Sequence, residues 1–180
     1  MMGKMILFQD FDGVLNSRSF LSNWMDEHGF SDKSCRKFNR LFCGYGKFKG
    51  FLQPDLVKKF NDFILKNNIE IVCSSSWRIG KNLDQMKEFY KRRDLPYEHL
   101  IGLTPNFYGK YAFYSREDEI MAYMIQNDLK DICAMSVDDM TVRANKQFPK
   151  FKPFKTDYDF GITDEIIQSM QEFVDHSRES

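Results

Sequence analysis

The sequence predicts an α/β protein: a three-layer parallel sheet covered by helices on both faces, with a small insertion after the first strand. Two observations predict it. Short apolar runs of strand length alternate with longer segments whose apolar residues recur at helical spacing. Polar clusters also follow three of those runs, and ligands of parallel α/β sheets bind beyond the carboxyl ends of the strands.

Lys4–Gln9 is a short apolar run that stops at acidic residues and a glycine, and it reads as a buried strand. From Asp55 to Lys66, Leu56, Val57, Phe60, Phe63 and Ile64 form a helical stripe, with Pro54 at the helix start and Asn67-Asn68 at its end. A second strand follows at Ile69–Cys73. Leu83–Arg93 reads as a helix that stops before the Leu95-Pro96 break, and His99–Leu103 as a strand. Ile120, Met121, Met124 and Ile125 share one face of a helix from Arg116 to Asn127, which Ser115 caps with Asp118 three residues on. Ile132–Val137 is a strand that runs into Asp138-Asp139. Phe151–Lys155 is a last strand, and Thr163 caps a closing helix to Val174.

The 180 residues suit one domain, 1–180. Hydrophobic residues at 42% and charged residues at 29% exclude disorder and collagen-like repeats. With 26 basic and 26 acidic residues the net charge is zero, which argues against coating DNA or membranes by bulk electrostatics. Met5 to Phe8 is far too short for an export signal or a membrane span, so a soluble, cytoplasmic protein is expected. Cys35, Cys43, Cys73 and Cys133 match no Cys-x-x-Cys metal pattern. Cys73 and Cys133 lie in apolar runs and are read as buried thiols.

Three clusters carry chemistry. In Asp10-Phe11-Asp12-Gly13-Val14-Leu15-Asn16, two carboxylates spaced by two can both point past the strand end if the chain turns at Gly13. In Cys73-Ser74-Ser75-Ser76-Trp77-Arg78, hydroxyls after an apolar strand offer phosphate donors beside the amides of the next turn. They can equally cap that turn. Asp138-Asp139 places adjacent acids at a strand end, where they repel unless something positive lies between them. A divalent cation supplies that charge. An all-oxygen donor set of this kind suits Mg²⁺ rather than Zn²⁺.

The order of DFDGVLN, VCSSSWR, a basic residue opening a helix and a strand ending in DD resembles the haloacid dehalogenase (HAD) superfamily of phosphohydrolases, from Lys4 to about Thr163. The resemblance implies the Rossmann-like HAD fold. It makes Asp10 the nucleophile and Asp12 the general acid/base, with Ser74 as the phosphate-binding hydroxyl and Ser75 its rival. Arg116 stands where the family usually has Lys, and Lys110 is its competitor. Phosphate would thus be held among Gly13, Ser74, Ser75, Arg116 and Lys110. Mg²⁺ would be held by Asp10, the Asp12 backbone carbonyl, Asp138 and Asp139. SSSWR, Arg116 to Ile120, DD, Thr156-Asp157 and Gly161-Ile162-Thr163 together resemble the HAD domain of Swiss Army Knife RNA-repair proteins. The Cys-Ser-Ser stretch is also similar to the strand end of 5′-deoxyribonucleotidases.

Residues 17–53 are the only room for a small lid, so an open site that admits large substrates is expected. No acid occurs from Lys33 to Pro54, where Arg36, Lys37, Arg40 and Lys47 are interleaved with Phe42 and Tyr45. That pattern can follow a phosphate backbone and stack bases; it also fits an amphipathic helix and a Gly-rich loop with the aromatics in the core. Arg143 to Lys155 is a second acid-free stretch with five basic residues, read equally as a solvated loop. The leading expectation is a phosphomonoesterase for nucleotides or phosphorylated nucleic-acid ends. A phosphatase of a small metabolite such as a sugar phosphate is the alternative. A catalytically silent binding module would need a broken motif, and Asp10, Asp12, Ser74 and Asp138 are all in place.

Overall fold

A computed structural model describes residues 4–27, 52–107 and 114–179. Five parallel strands form one sheet in the order β3-β2-β1-β4-β5: β1 (Met5–Gln9), β2 (Glu70–Cys73), β3 (Leu100–Leu103), β4 (Cys133–Asp138) and β5 (Phe151–Lys155). The helices are α1 (Arg18–Glu27), α2 (Pro54–Asn67), α3 (Leu83–Lys91), α4 (Arg116–Gln126) and α5 (Asp164–Glu179).

Every residue of β1 is buried. Because successive strand residues face opposite ways, Met5 and Leu7 join a core built with α2, α3 and α5. Ile6 and Phe8 join a second core with α4, Phe148 and Phe151. Those two cores make three layers. The predicted elements recur with ends displaced by a few residues: α2 stops where Asn68 turns left-handed (φ 49), and α5 runs on past Val174 to Glu179. Tyr97–His99 is a short 3₁₀ turn that leads into β3. Cys73 is buried, but Cys133, the first residue of β4, is only half buried. It stands at the strand's entry, where cover from the helices is incomplete.

Residues 17–53 contain α1, a helix that the sequence pattern did not reveal. Ser17 starts it by accepting a hydrogen bond from the Phe20 amide at 3.2 Å. No helix among the described residues is long and apolar enough to cross a membrane.

Candidate active site

The sheet register builds the site. β1 pairs with both β2 and β4, and Gln9 lies level with Cys73 on one side and Val137 on the other. The next residue on each strand is therefore Asp10, Ser74 or Asp138, and the three clusters converge. The Asp10 amide donates to Val137 O at 3.2 Å, and the Ser74 amide to Gln9 O at 2.9 Å.

Asp10 is buried, with Oδ1 accepting from the Phe11 amide at 2.8 Å. Ligand oxygens of Asp10, Asp138 and Asp139 lie within 4.8 Å of one another. Asp138 Oδ1 accepts from the Met140 amide at 2.8 Å, whereas Oδ2 is buried without a hydrogen-bond partner. Burial and the charge of Asp10 hold the Asp138 carboxyl well above the usual carboxylate range, against the pull of Arg116. Burial and the charges of Asp10 and Asp12 also raise Asp139. Three acids so disposed fit a hard divalent cation, which would relieve their repulsion and supply Asp138 Oδ2, which makes no hydrogen bond, with a partner beside Arg116.

The Arg116 guanidinium lies between the acids, with Nε 3.2 Å from Asp138 Oδ2 and Nη2 3.9 Å from Asp10 Oδ2. Burial opposes its charge, but Asp10, Asp138 and Glu119 outweigh burial and hold the group above its ordinary value. Nη1 also donates to the Ser74 carbonyl.

Asp12 stands apart from the three-acid cluster. Its Oδ1 accepts from Asn16 Nδ2 at 3.1 Å and its Oδ2 from Trp77 Nε1 at 2.8 Å. Burial raises its pKa and the charge of Asp10 adds to that, while the Asn16 and Trp77 bonds pull the other way. Asn16 Oδ1 also accepts the Gly13 amide at 3.0 Å and so closes the turn. Gly13 has φ +65, and a Cβ there would come within 2.6 Å of Asp139 Cβ, so only glycine fits between the two acidic loops. Thr156 Oγ1 donates to Gly13 O at 2.6 Å and the Ile162 amide to Val14 O at 2.9 Å. The 156–162 segment therefore braces the first loop.

The three serines divide. Ser74 Oγ is fully buried and without a hydrogen-bond partner, an unused donor next to Asp10 in the register. Ser75 Oγ caps the turn by accepting the Trp77 amide at 3.4 Å. Ser76, to which the sequence assigns no separate role, lines an open cleft of about 550 Å³ with Asp10, Asp12, Arg78, Arg116 and Asp139. Lys110 and the lid residues Arg36, Lys37, Arg40, Phe42, Tyr45 and Lys47 lie outside the described residues.

Four partners of the site are not identifiable from the sequence: Asn16, Trp77, Arg78 and Glu119. All sit inside the motifs quoted for the resemblance, but which residue each would meet is set by the fold. Arg78 Nη2 lies 2.7 Å from buried Glu119 Oε2, which Arg116 Nη1 also reaches at 2.8 Å. Arg78 further donates to the carbonyls of Ser74, Ser75, Thr104 and Pro105.

The family described as "HAD domain in Swiss Army Knife RNA repair proteins" matches residues 6–167. No curated protein matches the sequence. Similar solved structures include a HAD-superfamily hydrolase from Ehrlichia chaffeensis, at 10% identity and TM-score 0.44 over 98% of each chain. A HAD-like family hydrolase from Porphyromonas gingivalis is 13% identical with TM-score 0.44, over 95% of this chain and 98% of its own. A haloacid dehalogenase-like hydrolase from Streptococcus pneumoniae is 12% identical with TM-score 0.42, over 94% of this chain and 91% of its own.

Proposed function

The chain belongs to the family of HAD domains found in Swiss Army Knife RNA-repair proteins and is a hydrolase, and from that premise we propose that it is a Mg²⁺-dependent phosphomonoesterase acting on nucleotides or phosphorylated nucleic-acid ends. The observation that carries the chemistry is the cluster of Asp10, Asp138 and Asp139 oxygens within 4.8 Å, with Arg116 lying against it. The nucleic-acid substrate rests on the family's description and on the acid-free, aromatic-rich sequence from Lys33 to Pro54.

Asp10 attacks phosphorus through a carboxylate oxygen; a new O–P bond forms as the ester P–O bond breaks. Asp12 gives its proton to the departing oxygen, and Arg116 and the Ser74 hydroxyl hold the equatorial oxygens, where charge spreads in a loose transition state. Asp12 then takes a proton from water, which attacks phosphorus and releases inorganic phosphate and free Asp10. This divides one difficult displacement into two. Asp10, Asp138 and Asp139, with the Asp12 carbonyl, would hold Mg²⁺, whose positive charge offsets that of the carboxylates and the phosphate.

Asp10→Asn should abolish Mg²⁺-dependent hydrolysis of an aryl phosphate while circular dichroism and melting stay those of the parent. Retained turnover would overturn the nucleophile. The substrate is tested with oligonucleotides bearing 3′- or 5′-phosphates beside a metabolite panel: a strong preference for sugar phosphates rejects the nucleic-acid reading.

A further inference from the structure

We propose that Trp77 is a positioning residue for the proton-transfer step: its indole N–H sets the orientation of the Asp12 carboxyl toward the leaving oxygen. The proposal rests on the reading of Asp12 as general acid. Trp77 Nε1 donates to Asp12 Oδ2 at 2.8 Å across 65 residues of sequence, and Asn16 Nδ2 donates to the other oxygen at 3.1 Å. With one donor on each oxygen, rotation of the carboxyl about its Cβ–Cγ bond is blocked. Indole is a donor only. It fixes the oxygen without accepting the proton that Asp12 must pass on.

The indole is itself held. Its ring stacks on Phe11 at 5.0 Å between centroids and 23° between planes, and Phe89 meets it edge-on at 5.6 Å and 87°. Phe11 lies between the two acids in sequence, so one aromatic stack carries both the residue next to Asp12 and the group that orients Asp12. Trp77 is not among the residues that line the cleft with Asp10, Asp12 and Arg116, and its indole N–H meets the site through the Asp12 carboxyl. Its role is thereby separated from binding.

That separation gives a kinetic signature. An alkoxide leaving group must be protonated as it departs, whereas p-nitrophenolate leaves without help, and kcat/KM reports only the steps up to the aspartyl-phosphate. Trp77→Phe keeps a ring for the stack and removes the donor. It should lower kcat/KM for an alkyl phosphate by about tenfold or more and for p-nitrophenyl phosphate by less than about twofold. In an Asp12→Asn background the same substitution should change the alkyl-phosphate value by less than about twofold, since no carboxyl proton is left to orient. If Trp77→Phe does not fold, replacing Trp77 with β-(3-benzothienyl)alanine keeps the bicyclic shape and puts sulfur in place of N–H. Equal losses on both substrates, or an undiminished further loss on top of Asp12→Asn, overturn the positioning role. If Asp12→Asn alone leaves alkyl-phosphate kcat/KM intact, the assignment of Asp12 fails instead and the proposal falls with it.

Discussion

Cys73 is the last residue of β2, immediately before Ser74, and shows what burial does to chemistry at single-residue scale. It is fully buried, and its thiol is pushed up to about 11 by that burial, with Arg78 opposing and Asp10 adding. The thiolate is the reactive form, and at pH 8 a thiol with that value is about a thousandth ionised. Iodoacetamide at pH 8 should therefore leave Cys73 unmodified in the native protein and alkylate it in denaturant, read by peptide mass mapping. Rapid native labelling would mean that this strand end opens. The linkage has a definite sign: a thiol in the unfolded chain titrates near 9.0, below the folded value. The stability that the buried neutral thiol contributes is then whole below pH 9 and falls between pH 9 and 11, because the unfolded chain gives up its proton first.

An element can be legible while its purpose is not, and α4 is the case in point. Its start is readable: Ser115 Oγ accepts the Asp118 amide and Asp118 caps the Ser115 amide in return, a reciprocal box that places Arg116 at the first helical position. Its apolar face is readable in part: Ile120, Met121 and Met124 are buried, but Ile125, expected on the same face, is exposed. Glu119, three residues after Arg116, is not readable: its second partner, Arg78, comes from the turn after β2, and only the fold joins them. Nor is α1 legible: Phe20, Leu21 and Trp24 stand at helical spacing, but the run is shorter than the stripe that marks α2 and the three side chains are only half buried. Strand ends are legible because the apolar runs of β1 and β2 stop at polar residues, whereas pairings between the loops beyond them depend on register. Glu119→Leu strips a buried carboxylate from two guanidinium groups and should cost about 3 kcal/mol in urea unfolding. Ser115→Ala, which removes one cap, should cost about 1 kcal/mol. A Glu119→Leu loss no larger than that of the cap would show that Arg78 and Arg116 are neutralised by other groups.

Across the whole molecule, a net charge of zero conceals an uneven distribution. The parallel register brings Asp10, Asp138 and Asp139 together at one end of the sheet, and the Arg116 charge is divided among Asp10, Asp138 and Glu119. The fold thus carries acid–acid repulsion that Arg116 offsets only in part, at the place where a cation is expected to bind, so metal binding should stabilise the global fold, not only the reaction. Mg²⁺ at about a hundred times its dissociation constant adds roughly 2.7 kcal/mol to a native state that alone binds it, which at this chain length raises the melting temperature by roughly 5–10 °C. Asp138→Asn removes one of the clustered carboxyls and one of the proposed ligands together. Without metal this variant should melt no lower than the parent, because the buried carboxyl that burial and Asp10 disfavour as an anion is gone. With Mg²⁺ it should lose most of the parent's rise. Thermal melts of both proteins, with EDTA and with increasing Mg²⁺, read the two effects separately. A variant that melts well below the parent in EDTA would make Asp138 a structural residue, and one that keeps the full Mg²⁺ response would move the cation away from these three carboxylates.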